Sequence, residues 1–205
     1  MLGIEKIEKK KKEPNVYTIY LTDGQAYDIW DELMVKYKFS VERTVSEVLL
    51  EEARVETQYH RGKDSALKYL RNKNRSLTEI ELYLKNKAYN MDTIYKVKDF
   101  LVENNLINDE AFAEAYIQEA VHKGCGSLKI KYDLKMKGIS EAVIEEKIHQ
   151  YLPKEQEHEM ANLIFQSKLK GQTPNKKNCA KAARYLASKG YDPEMINEIV
   201  YKFIL

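Results

Sequence analysis

Apolar positions change rhythm along this chain at about residue 60. Before that point the pattern is mixed. Val16-Tyr17-Thr18-Ile19-Tyr20-Leu21 is β-branched and aromatic and reads as a strand. Asp23-Gly24 reads as a type I′ hairpin turn pair, because that turn needs positive φ. Gln25 to Ile29 then forms the return strand, and Ile4 to Lys9 a further opening strand. A short helix over Trp30 to Tyr37 follows. Val45, Val48, Leu49 and Ala53 recur at helical spacing and predict a connecting helix over Val45 to Tyr59.

From Asp64 onward the spacing is helical throughout. Asp64 is placed to cap a helix carrying Ala66, Leu67 and Leu70. Ser76-Leu77-Thr78-Glu79 has the form of a capping box and opens a helix with Ile80 and Leu84 inward. Asn90 caps the next, with Ile94, Val97 and Leu101 inward. The plan then recurs. Asn108 or Asp109 caps a helix with Phe112, Ala113, Tyr116 and Ile117. Gly124 and Gly126 break it, and Ser127 opens a helix with Ile130 and Leu134 inward. Ser140 caps one with Val143, Ile144 and Ile148. A third round predicts helices over Glu155 to Lys170 (ended by Gly171 and Pro174), over Lys177 to Lys189 (ended by Gly190), and after Asp192-Pro193, with Ile196, Ile199, Val200 and Phe203 inward.

One phrase marks each round: Leu84-Lys85-Asn86-Lys87-Ala88-Tyr89, Leu134-Lys135-Met136-Lys137-Gly138-Ile139, and Leu186-Ala187-Ser188-Lys189-Gly190-Tyr191. The copies start 50 and 52 positions apart, and each is followed by an isoleucine, Ile94, Ile144 or Ile196. Repetition at such a period is the mark of stacked supersecondary units. The expected fold is mainly α: three tandem three-helix repeats forming an elongated curved array, preceded by a small β-hairpin or β-rich region and a connecting helix. The expected divisions are 1–60 for the N-terminal region, then 61–107, 108–152 and 153–205 for the repeats. Arrays of this kind grip extended partners more readily than they enclose a catalytic pocket.

Composition agrees with helix: 32% of residues are charged, against only 4 prolines and 8 glycines. The formal net charge of +2 conceals a strong alternation. Arg61 to Lys98 holds ten bases and four acids, and Asp99 to Val121 six acids and no base. Lys123 to Lys137 holds five lysines against Asp133, and Lys168 to Lys189 seven bases and no acid. The basic blocks coincide with the middle helix of each repeat. Arg71, Lys73, Arg75, Lys85, Lys87, Lys129, Lys131, Lys135, Lys176, Lys177, Lys181 and Arg184 are therefore candidates for a broken basic stripe that meets phosphates or an acidic protein groove. The competing reading is a solvated face whose lysines pair with the acidic blocks.

Recognisable catalytic patterns are missing from the sequence. No phosphate-cradling loop of the Walker type occurs, and Gly124-Cys125-Gly126 reads as a helix break, not a dinucleotide fingerprint. His158-Glu159-Met160-Ala161-Asn162 lacks the second histidine of a zinc-protease helix. Hence no enzyme, metal or cofactor is expected. Cys125 and Cys179 stand alone, no secretory signal is visible, and no apolar run approaches the ~20 residues of a membrane helix; a reduced, cytoplasmic location is expected. Most of the fifteen tyrosines, Tyr69, Tyr83, Tyr89 and Tyr191 among them, are expected at helix interfaces or their rims.

Several blocks together resemble the RecX family of RecA regulators. They are Ala66-Leu67-Lys68-Tyr69-Leu70 with Arg75-Ser76, Glu79, Leu82 and Leu84; Asn108-Asp109-Glu110-Ala111-Phe112-Ala113-Glu114-Ala115-Tyr116 with Gly124 and Gly126; Leu134 to Ile139; and Lys181 to Ile196. The resemblance runs from about Ser65 to the C-terminus. Ala88 departs from it where the other phrases have glycine, as does Cys125 between the two glycines. It implies a non-catalytic monomer that lodges in the groove of the RecA–DNA filament, bridges neighbouring RecA subunits, inhibits ATPase and strand exchange, and promotes disassembly. Direct DNA binding is then expected to be weak, losing ~10³-fold between low and moderate salt if about six phosphates are engaged. The alternative is a DNA-binding transcription regulator of helix-turn-helix type, since each repeat has three short helices and a basic middle one.

Overall fold

The computed structural model describes residues 1–169 and 174–204. Four strands, β1 (Leu2–Lys9), β2 (Val16–Leu21), β3 (Ala26–Trp30) and β4 (Thr44–Val45), form an antiparallel sheet in the order β3-β2-β1-β4. The short β4, which the sequence pattern does not announce, pairs with the start of β1. The β2–β3 turn differs from the type I′ expectation. The Gly24 amide donates to the Leu21 carbonyl and the Leu21 amide to the Gln25 carbonyl, and among these residues only Gly24 has positive φ, +84°. Thr22 and Asp23 thus form an ordinary turn and Gly24 is the bulge residue after it, a geometry that spares Asp23 the left-handed region.

Helix α1 (Asp31–Lys36) leads through β4 into α2 (Glu47–Leu70). The sheet, α1 and α2 bury Ile4, Val16, Ile19, Leu21, Ile29 and Trp30 with Leu33, Leu50 and Ala53 in one cluster. Buried Thr57 stitches this layer: its hydroxyl donates to the Ala53 carbonyl at 2.7 Å and accepts from the Trp30 amide at 3.0 Å. Beside it Arg61 donates to Glu13 and Asp28, both at 2.8 Å, while Asp28 also accepts from Thr18 at 2.8 Å and from Lys10.

The connecting helix and the first repeat helix, expected as separate, are one continuous rod of 24 residues. Asp64 is no cap; it lies inside α2 and pairs with Lys68 at 2.7 Å. A single glycine inside a helix costs only ~1 kcal/mol, so Gly62 does not interrupt it. Gly62 is buried against α4 (Met91–Glu103); a methyl there would lie 3.0 Å from Thr93 and 3.2 Å from Val97.

Helix α3 (Leu77–Asn86) begins at the expected capping box, with the Glu79 amide donating to Ser76 Oγ at 3.2 Å and the Ser76 amide to Glu79 Oε2 at 3.1 Å. Then come α5 (Asp109–His122), α6 (Ser127–Met136), α7 (Glu141–Tyr151), α8 (Lys154–Leu169), α9 (Lys176–Lys189) and α10 (Pro193–Ile204). Asn90, Asn108, Ser140 and Asn175 each accept from an amide of the first turn that follows them. Of the two caps weighed for α5, Asn108 serves. The expected stop at Gly171 lies outside the described residues.

The chain divides into two compact units. One comprises residues 1–74 and 80–106; the other comprises residues 75–79 and 107–205. In the second, α5–α7 close around Phe112, Ile117, Ile130, Leu134, Ile144 and Ile148, and α8–α10 around Phe165, Cys179, Leu186, Tyr191, Ile196 and Ile199. The repeated phrase begins at the end of the second helix of each trio, α3, α6 or α9.

Candidate functional site

Within the second unit the middle helices meet end to end. The carbonyls of Lys189 and Gly190, at the end of α9, accept from the amides of Gly126 (2.9 Å) and Leu128 (3.0 Å) at the start of α6. The remaining amide there, Ser127, donates to Glu157 at 2.7 Å, a carboxylate from the first turn of α8 that is only 3% exposed. The same arrangement recurs one repeat earlier. The Lys137 carbonyl, ending α6, accepts from Ser76 Oγ at 2.7 Å, and the Leu77 amide donates to Asp109 of α5 at 2.9 Å. At both junctions the negative end of one helix dipole faces the positive end of the next, and an acid from the following repeat closes the gap. Lys137 adds an ion pair to Glu79 at 2.7 Å. Burial pushes the Glu79 carboxyl up, but Lys137 and the Ser76 amide outweigh it and hold it below the ordinary glutamate value.

These junctions explain the glycines of the phrase. Gly138 (φ +78°) and Gly190 (φ +81°) both end their helices in the left-handed region. A methyl group at Gly138 would overlap the Thr78 side chain, and one at Gly190 would overlap the backbone of Lys129. Ala88 occupies the same place in the first phrase, also left-handed at φ +61°, but it is exposed. Where no helix end presses on the position, a Cβ is sterically allowed and only the backbone cost remains, ~1–2 kcal/mol.

The twelve candidate cations fall into two classes. Several are engaged inside the chain. Lys85 pairs with Glu81 at 2.7 Å, Lys129 with Asp133 at 3.3 Å, Lys131 with Glu145 at 2.6 Å and Lys135 with Glu141 at 2.6 Å. Lys87 lies over the Tyr83 ring, 5.8 Å from its centroid, and half-buried Arg75 sits just before α3. Arg71 and Lys73, in the exposed turn after α2, and Lys176, Lys177 and Lys181, on exposed positions of α9, make no ion pair among the described residues. Among the described residues, Arg184 bonds a carbonyl of its own helix, that of Ala180, at 3.3 Å. Lys177, Lys181 and Arg184 share one face of α9 at i, i+4, i+7 spacing. On the same helix Tyr185 has Lys168 over its ring at 3.9 Å.

An apolar ladder on α6 escaped the sequence reading. Leu128, Tyr132 and Met136 are 45%, 64% and 67% exposed, one helical turn apart, while Ile130 and Leu134 are fully buried. The signal was present as a second i, i+4 apolar series, and a surface helix buries only one such stripe. Tyr116 reaches the flank of the same helix, donating to Asp133 at 2.8 Å; burial and that carboxylate push its phenol above the ordinary value. Among the described residues no group of three His, Cys, Asp or Glu side chains could hold a metal ion, and no helix is long and apolar enough to cross a membrane.

Known proteins resemble this chain over its whole length. A family profile described as "RecX, second three-helix domain" matches residues 108–148, which hold α5, α6 and most of α7. Regulatory protein RecX of Clostridium tetani is 32% identical over 98% of this chain and 94% of its own. Regulatory protein RecX of Streptococcus gordonii is 31% identical over 93% of this chain and 72% of its own. Among solved structures, a crystal structure of regulatory protein RecX gives a TM-score of 0.73 at 22% identity, covering 97% of this chain and 98% of the other. RecX from Lactobacillus salivarius gives 0.63 at 23% identity, covering 71% of this chain and 96% of its own. The two structures share the fold.

Proposed function

Since this chain belongs to the RecX family of regulatory proteins, we propose that it regulates the RecA recombinase in the cytoplasm by lodging in the groove of the RecA–DNA filament, where it slows ATP hydrolysis and strand exchange. The observation that carries this reading is the exposed cation series Lys177, Lys181 and Arg184 on α9, set in a chain that matches RecX regulators throughout. Unpaired, water-exposed cations are available to a polyanionic or acidic groove, whereas cations already held by glutamates must first be released. The ladder of Leu128, Tyr132 and Met136 offers an apolar anchor of the kind that dominates protein contacts. Several modest contacts on one chain lengthen residence on a repeating filament without a strong single contact.

Among the candidate cations, the proposed contacts are Arg71 and Lys73 in the first unit and, separately, Lys176, Lys177, Lys181 and Arg184 in the second; Lys85, Lys129, Lys131 and Lys135 are held by acids of the chain itself. The acids beside the α6 lysines also weigh against the alternative of a helix-turn-helix transcription regulator, because they would face the phosphates. The test is RecA's DNA-dependent ATP hydrolysis with and without the protein. Inhibition at equal or lower amounts of protein is expected, and its absence removes the proposal.

A further inference from the structure

The first compact unit carries an open groove of about 620 Å³ to which nothing above assigns a role. Its floor is one stripe of the first half of α2: Val48, Glu51, Glu52 and Val55, at i, i+3, i+4, i+7 spacing. Tyr37, after α1, and Lys96 of α4 form the sides. The opposite stripe of α2, with Leu50, Ala53 and Thr57, is buried in the core under the sheet. This half-helix therefore has two apolar edges, and one of them faces water: Val48 is 69% exposed and Val55 39%. Valine is a mediocre helix former, and at a merely solvated position it contributes neither propensity nor burial.

Charge decides what such a groove accepts. Four glutamates line it, against the single base Lys96. Glu51 is held by Arg54 at 2.6 Å, and Glu56 by Lys36 at 2.7 Å and the Tyr37 hydroxyl at 2.9 Å. Glu47 and Glu52 make no ion pair among the described residues. An acidic rim repels nucleic-acid phosphates and attracts lysine and arginine.

We propose that this groove docks a basic amphipathic segment of a partner protein. Apolar side chains of the segment cover Val48, Val55 and the Tyr37 ring, and its basic heads sit against Glu47 and Glu52. This is the helix-in-groove mode with electrostatics setting the partner's sign. The groove is opposite in charge to the α9 face, so it selects a different chemistry and does not depend on the RecA reading.

The test uses the full chain and a labelled Leu/Lys peptide of about 15 residues with its leucines at i, i+3, i+4, i+7 spacing, long enough to form an amphipathic helix when bound. A Leu/Glu peptide of the same length is the control, and binding is read by fluorescence anisotropy. Saturable one-to-one binding of the Leu/Lys peptide is expected. Val48→Ser with Val55→Ser, and separately Glu47→Lys with Glu52→Lys, should each weaken it by about tenfold or more. Glu155→Lys with Glu159→Lys, exposed acids of the other unit, should leave it unchanged, and circular dichroism checks that each variant keeps its helicity. The proposal is overturned if the Leu/Glu peptide binds equally well, if the groove variants bind the Leu/Lys peptide unchanged, or if the valines instead support a concentration-dependent dimer of the chain.

Discussion

At the residue scale, the three copies of one position respond to three environments. Gly138→Ala forces a methyl into Thr78 while demanding a left-handed backbone, and should destabilise the chain by about 2–3 kcal/mol in urea unfolding. Ala88→Gly, at an exposed left-handed position, should instead stabilise by about 0.5–1 kcal/mol. Equal effects at the two sites would refute the role given to the helix junctions. The Asp28 cluster makes a pH prediction. Burial pushes the Asp28 carboxyl up, but hydrogen bonds from Lys10, Arg61 and Thr18 outweigh it and hold its pKa at about 2. A depressed carboxyl stabilises the fold above its unfolded pKa of about 4, and the contribution is lost as pH falls toward 2. Melting temperatures of wild type and Asp28→Asn should therefore converge as the solution is acidified from pH 5 to about 2; a constant gap would show that the carboxylate's charge is not what stabilises the cluster. Caps at Ser76, Asn90, Asn108 and Ser140 were legible in sequence, because a cap bonds amides two or three residues away. The placement of Asp109 was half legible: it stands at a helix start, yet it caps a different helix, 32 positions back.

At the element scale, α6 and α9 look alike in sequence, each a lysine-rich middle helix, and differ in what surrounds them. The third helix of its own repeat, α7, supplies Glu141 and Glu145 to the lysines of α6. The lysines of α9 find no such partners among the described residues. Lys177→Glu with Lys181→Glu should raise the amount of protein needed for half-inhibition of RecA ATP hydrolysis by about tenfold or more, and Lys131→Gln with Lys135→Gln by less than about threefold. The reverse order would return the contact to α6. Exposed ion pairs such as these contribute only ~0–1 kcal/mol each, so the α6 change should leave stability nearly unaltered. Glu157 is the contrasting case, a buried carboxylate with a structural task. Glu157→Ala leaves the Ser127 amide without its acceptor and should lower stability by about 1–3 kcal/mol in denaturant unfolding. In sequence Glu157 is one acid among many near the start of α8, and nothing local distinguishes it.

At the scale of the whole molecule, the second compact unit includes five residues, Arg75–Glu79, that precede its main stretch by 28 positions or more. Ser76, Thr78 and Glu79 are the partners of Lys137 and Gly138. A fragment of residues 75–205 should therefore melt higher than one of residues 107–205, as scanning calorimetry would show; equal melting would mean the capping turn contributes nothing to that unit. The kinship with RecX regulators, the three rounds of helices and most helix ends were all readable in the order of residues. Periodicity, capping and turn chemistry act over a handful of neighbours, and the chain carries them explicitly. The division of the lysines into held and available, the need for glycine at 138 and 190 but not at 88, and the acid-lined groove on α2 came only from folding. They depend on residues such as Lys137 and Glu79, 58 positions apart, or Tyr191 and Gly124, 67 apart. Coulomb attraction and steric overlap depend on distance in space, and that distance exists only once the helices have packed.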